Sequence, residues 1–371
     1  MASQIVNNEE ALVKTLLRPT FTVTLGALGA ILLAFAVTSA QSSQPDLPRV
    51  VSVVLNEGGD SLAVIDPQDG RVLAAPDLGT ALDRPHLAAF DPVNHRLYVG
   101  NKGANLAVFD MTEPMAPKVV ANVKPGGDGE IHSVVLAAGL VWLAHEGDSA
   151  IYAYDPANLV TPAVTLGADQ GFDTPHGLTL RPASEELWVT NRPEDAPGFV
   201  LRIDARTRSV VGAPLETTRR SGDRPNNIAF TPDGRRAYVV NNGSGATQVT
   251  VIDAASFAVI SQIEQDAERG LAPHAIAFEP GTGRMFVANK DGGTISAIDI
   301  ETDTVVGYVA VGEEPHCLTL GPDGRIYVTE KQGNAVMVID PRTLAITQTI
   351  ADPALNHPHQ AVFTGAAGGG Q

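Results

Sequence analysis

The sequence predicts an all-β fold, a seven-bladed β-propeller closed by one C-terminal strand plus three N-terminal strands. Two observations predict it. A unit of four short β-type runs recurs seven times, and the chain starts and stops part-way through that unit. The third run of each unit is the clearest. It reads LAVID (62–66), LAVFD (106–110), IYAYD (151–155), VLRID (200–204), VTVID (249–253), ISAID (295–299) and VMVID (336–340). The second run reads LYVGN (97–101), LWVTN (187–191), AYVVN (237–241) and MFVAN (285–289), with VWLAH (141–145) and IYVTE (326–330) as variants. Val, Ile, Tyr and Thr dominate these runs, as strands favour. Turns such as Pro232-Asp233-Gly234 and Pro322-Asp323-Gly324 separate them. A blade buries both faces against its neighbours, so the runs alternate only weakly between apolar and polar.

The chain ends fit ring closure. The N-terminal part enters at a second run, SVVLN (52–56), and the C-terminal part finishes on a first run, PHQAVF (358–363). Together they complete the seventh blade and remove the open sheet edges of a linear array. The propeller is expected over 50–364, followed by a flexible tail over 365–371. The aspartate ending each third run is expected to satisfy turn amides, and the asparagine ending each second run to cap a loop.

Composition narrows the function classes. The 371 residues include 36 Gly and 26 Pro and carry a formal charge of −17. That charge repels phosphate backbones, and no Lys/Arg run interrupts it, so nucleic acid is not an expected partner. The lone Cys317 excludes an internal disulfide, thiol-clustered zinc sites and c-type haem attachment. Cys317 follows His316; it points away from it if that strand is regular and joins the site if the strand is bulged.

Residues 1–40 read as a signal peptide or signal anchor. Lys14 and Arg18 precede an apolar run over 21–40, and Thr38-Ser39-Ala40 offers small residues for cleavage. An uncleaved run of this length spans a bilayer. Residues 41–49 form a polar linker. Both readings put the remaining chain in the periplasm or outside the cell, either free or anchored to the outer side of the inner membrane by residues 21–40.

Six of the nine histidines hold one place in the repeat: His86, His132, His176, His274, His316 and His359. Asn226 holds it in the seventh unit. Spacings of 46, 44, 50, 48, 42 and 43 residues separate the seven positions, one blade each. In a propeller the first strand of each blade is innermost, and this position is where that strand begins. Six imidazoles are therefore expected around one mouth of the channel. Turn chemistry alone would favour Asn, Asp or Gly there. Imidazole is a common transition-metal ligand, and with little sulfur nearby the set favours copper, Cu(II), with zinc or iron as alternatives. Asn226 and His357 are expected as supporting residues behind the metal ligands. Glu330 and His145 replace the asparagine ending the second run, and are the candidate acid or base if the mouth is catalytic.

LWVTN and IYVTE resemble the YVTN-type propeller repeat family over residues 50–363. That resemblance implies a seven-bladed fold and an exported binding protein. The histidine ring is similar in outline to the propeller of nitrous oxide reductase, which holds a copper cluster. It departs from that arrangement in having one histidine per blade and no cupredoxin domain. Three readings of the mouth follow: a metal-binding protein, a lyase, lactonase or oxidoreductase using the same site, and a non-catalytic scaffold for a small molecule or protein partner.

Overall fold

The computed structural model describes residues 50–218, 223–243 and 245–365. Their 28 strands form seven four-stranded antiparallel sheets, and the described residues contain no α-helix. The export segment and linker expected over 1–49, and the tail beyond Gly365, lie outside the described residues.

Closure is as the chain ends predict. Ser52–Asn56, Ser61–Ile65 and Val72–Ala74 supply the outer three strands of one sheet, and Pro358–Phe363 supplies its inner strand. Ser52 pairs with Phe363 and Val54 with Ala361. Thr364 then locks the seam: its N–H donates to the Val51 carbonyl at 2.9 Å, and its hydroxyl accepts the Val51 N–H at 3.2 Å.

The other inner strands are Pro85–Asp91, Ile131–Ala137, Pro175–Leu180, Arg224–Phe230, Pro273–Glu279 and Pro315–Leu320. Each touches the inner strands of the blades on either side, so the seven surround one axis. The outermost strands, such as Lys118–Val123 and Ala345–Ala351, are the exposed ones. The repeated aspartates do the turn work expected of them. Asp110, Asp204, Asp299 and Asp340 each accept the backbone N–H two residues on, at 2.8–2.9 Å. This Asx geometry is the reason the residue recurs.

The apolar core lies between blades. Trp142 clusters with Leu178, Leu187 and Val189 of the next blade. Trp188 clusters with Phe230, Ala237 and Ile252 of the blade after that. Trp188 meets the rings of Phe230 and Phe257 edge-on at 5.1 and 5.0 Å, and its indole N–H donates to Glu186 at 2.6 Å. Edge-on aromatic contacts add to the area term. Trp188→Ala is expected to lower the unfolding free energy by about 3–5 kcal/mol, because the cavity falls between two blades that cannot collapse onto it. Urea unfolding checks this, and a loss under about 1 kcal/mol would show that the blade interface relaxes freely.

Candidate functional site

A backbone irregularity places the ring histidines. Every inner strand slips register against its neighbour at its first residues. Pro85 pairs with Asn101 but Ala88 with Val99, and the same slip occurs after Ile131, Pro175, Pro225, Pro273 and Pro315. One extra residue is inserted at each slip, which is a β-bulge, and bulges re-aim side chains.

The six histidines form an unbroken arc of imidazoles. Ring centroids stand 4.1 Å apart for His176–His132, 4.4 Å for His132–His86, 3.9 Å for His86–His359, 4.1 Å for His359–His316 and 4.1 Å for His316–His274. Across the ring, His86 stands 6.3 Å from His176 and 6.4 Å from His316. Asn226 occupies the seventh position. No ring histidine is more than 8% exposed.

Hydrogen bonds define part of the protonation pattern. Nδ1 of His86 lies 3.1 Å from the His132 carbonyl, and Nδ1 of His274 lies 3.0 Å from the His316 carbonyl. A carbonyl only accepts, so both rings carry the proton on Nδ1 and keep a lone pair on Nε2. Asn226 copies the pattern, donating its amide to the His274 carbonyl at 2.7 Å. Metal-ligating histidines are held in the same way, by an N–H given to a backbone carbonyl.

Donor atoms converge in two places. Those of His316, Cys317 and His359 lie within 4.8 Å of one another, as do those of Glu130, His132 and Glu146. Cys317 therefore does not point away from His316. Of the regular and bulged alternatives, the register shift between Pro315 and Leu318 is the bulged one.

The match of the seven-bladed β-propeller lactonase model spans residues 56–363, most of the chain. The chain belongs to that family. No curated protein matches it. Solved structures share the lactonase-family fold at low identity. A "putative 6-phosphogluconolactonase" from Bacteroides uniformis is 17% identical, with TM-score 0.67, over 85% of this chain and 100% of that one. Hydrazine synthase from Kuenenia stuttgartiensis is 18% identical, with TM-score 0.66, over 81% and 98%. Apo AztD from Citrobacter koseri is 13% identical, with TM-score 0.58, over 85% and 98%.

The remaining candidates of this lactonase-family chain serve the loops. Asn101 and Asn191 accept the N–H groups of Asp83 and Asp173 at 3.1 and 3.0 Å, where the chain enters the inner strand. Glu330 does the same kind of work. Its carboxylate accepts the N–H of Glu314 at 3.0 Å and that of Gly333 at 2.5 Å. His145 is fully buried and accepts the Asp148 N–H on Nδ1 at 3.2 Å. His357 has a left-handed backbone (φ 46°), donates its backbone N–H to Asn334 Oδ1 at 2.7 Å, and lies beside Gly58 in the mouth loop.

A charged collar surrounds the ring, and the sequence reading missed it. The residue after the Asn, His or Glu that ends each second run of the repeat is Glu57, Lys102, Glu146, Arg192, Asn242, Lys290 or Lys331. Glu57 bridges Lys102 at 3.1 Å and Lys331 at 2.8 Å, and Lys290 meets Glu314 at 3.5 Å. The signal was available as a fixed register position, but these charges differ in sign and hide the repeat. At the opposite end the same inner strands line an apolar cavity of about 190 Å³ that includes Leu180, Phe230, Ile276, Phe278 and Leu320.

Burial and surrounding positive charge push the pKa values of His86, His176, His316 and His359 well below the ordinary histidine range, and that of His274 down to about 3. His132 is the exception. Burial works against its charge, but Glu130 and Glu146 outweigh burial and raise its pKa. The five depressed histidines are neutral when folded and take up protons when unfolded. Their stabilisation is complete above about pH 6.5 and is lost below it, at about 1.4 kcal/mol per pH unit for each group. His132 contributes with the opposite sign. The metal-free protein is therefore expected to lose stability steeply between pH 6.5 and 5, before its carboxylates titrate. Urea midpoints measured across that interval check this, and a flat profile would mean that the ring is solvated.

Proposed function

We propose that this protein binds a transition-metal ion, copper or zinc, at the histidine-ring end of its channel. The observation that carries the reading is a set of buried, neutral imidazoles of which His86 and His274 have Nδ1 committed to backbone carbonyls. A neutral imidazole with one nitrogen tied back is a prepared ligand. Burying these rings for packing alone leaves some of their nitrogens poorly served: Nδ1 of His176 and Nε2 of His359 have no hydrogen-bond partner. An uncompensated buried polar atom is costly, and an ion would remove that cost. Glu130 and Glu146 would offer a cation an acidic approach between the collar lysines and arginines. An exported location, as expected from residues 1–40, suits a metal-carrying protein.

Family membership favours a second reading, hydrolysis of a sugar lactone at the same mouth. Neighbours from Bacteroides carry the 6-phosphogluconolactonase name. The chemistry on hand supports this less. Glu330 and His145, the candidate acid and base, are engaged in loop capping, which leaves the collar lysines and arginines or a bound ion to stabilise a developing oxyanion.

Metal-free protein titrated with Zn(II) or Cu(II) alone is expected to bind at least one equivalent. The double variant His86→Asn, His176→Asn is expected to weaken binding at least about tenfold. Asparagine already stands at this position as Asn226, so the substitution keeps the blade. Calorimetry checks the affinity. Metal content far below stoichiometric in the reconstituted wild type would overturn the reading, whereas lactone hydrolysis by metal-free protein would favour the second.

A further inference from the structure

Cys317 is the chain's one cysteine and follows a ring histidine. In the other blades that place holds Leu87, Ser133, Gly177, Asn227, Ala275 and Gln360. The blade therefore has no structural need for sulfur there. The bulge brings the Cys317 side chain to the channel side, where Sγ stands 3.8 Å from Nδ1 of His316 and 3.8 Å from Nδ1 of His359.

The ring's hydrogen-bond pattern is missing at the same point, as it is at His132 and His176. His86, Asn226 and His274 each give a side-chain N–H to the carbonyl of the next ring position. His316 would continue the series by donating to the His359 carbonyl, but that carbonyl accepts the Thr329 hydroxyl at 2.7 Å. His316 and His359 instead turn Nδ1 to the sulfur. A thiol can donate its one hydrogen to one of them and only weakly accept from the other. His359 is fully buried, and its other nitrogen, Nε2, lies 3.9 Å from the Glu57 carboxylate rather than toward the sulfur.

The spacing suits an ion. A sulfur at about 2.3 Å and a nitrogen at about 2.0 Å from one metal stand roughly 3.5–3.8 Å apart for tetrahedral to trigonal angles. A thiolate also supplies the negative charge that neutral imidazoles lack, close to Lys102 and Lys331, whose charges act on His359. We infer that His316, Cys317 and His359 form a sulfur-containing three-donor pocket for one borderline or soft cation, Zn(II) or Cu(I). The inference rests on the metal-binding reading and narrows it. Sulfur moves the preference from Cu(II), as an all-imidazole set implies, toward softer ions.

The test uses the full chain loaded separately with Zn(II) and Co(II). X-ray absorption on the zinc form is expected to show one sulfur at about 2.3 Å. The cobalt form is expected to show a thiolate-to-metal charge-transfer band in the near ultraviolet. Cys317→Ser should abolish that band and weaken zinc binding at least about tenfold, with unchanged circular dichroism. Stoichiometric metal with nitrogen and oxygen neighbours only, or a Cys317→Ser variant of wild-type affinity, would overturn this pocket and leave the ring reading standing. Wild type that takes up neither ion would overturn both. Should Cys317→Ser misfold, the sulfur signal of the wild-type zinc form decides alone.

Discussion

The bulge at the start of each inner strand is the constraint on which the mouth depends. Seven strands cannot converge on one axis without crowding, and an extra residue per strand is how the ladder absorbs the crowding. It also rotates one side chain per blade into the axis. Whatever residue stands there meets its counterparts from the neighbouring blades at about ring-contact distance. Histidine at six of those positions is therefore a decision about the whole channel, since imidazoles 3.9–4.4 Å apart cannot all be charged. Crowding, burial and neutrality follow from the one irregularity.

Around this neutral ring the collar sets a field of mixed sign. Lys102 and Lys331 clamp Glu57 on one side, while Glu130 and Glu146 face His132 on the other. The mouth is thus polarised: a proton or metal ion is favoured near His132 and disfavoured near His359, unless Cys317 gives up its proton. Burial pushes the Cys317 thiol up to about 12, so the thiolate forms only with a cation to hold it. The two donor clusters accordingly differ in kind. The carboxylate cluster is half-exposed and hard, and the sulfur cluster is buried and soft.

The sequence made the repeat legible because strand runs, terminal Asp and Pro-His pairs keep the same order in every unit. Closure by residues 358–363 was legible for the same reason. What it hid were directions. Alternation along a regular strand would send Cys317 away from His316, and only the register slip after Pro315 decides for the bulged alternative. Glu330 stood out as a better ligand and base than asparagine, yet it keeps the asparagine's task of accepting loop amides. The collar was invisible because a fixed position filled by Glu, Lys, Arg and Asn shows no pattern in residue type. Backbone register carries that information, and a repeat motif does not.

Membership of the lactonase family and the chemistry of the mouth support different readings: the family match supports lactone hydrolysis, and the buried imidazoles support the proposed metal site. A shared propeller fixes where side chains converge, not what they are. A hydrolase needs a group free to move a proton near neutral pH. Here the five depressed histidines stay neutral through that range, Cys317 stays a thiol, and Glu330 is tied to two amides. His132, whose pKa Glu130 and Glu146 raise against burial, is the one ring group favoured to hold a proton. Five imidazoles held neutral and buried are poorly arranged for acid–base turnover. They are well arranged to take up an ion that brings its own charge.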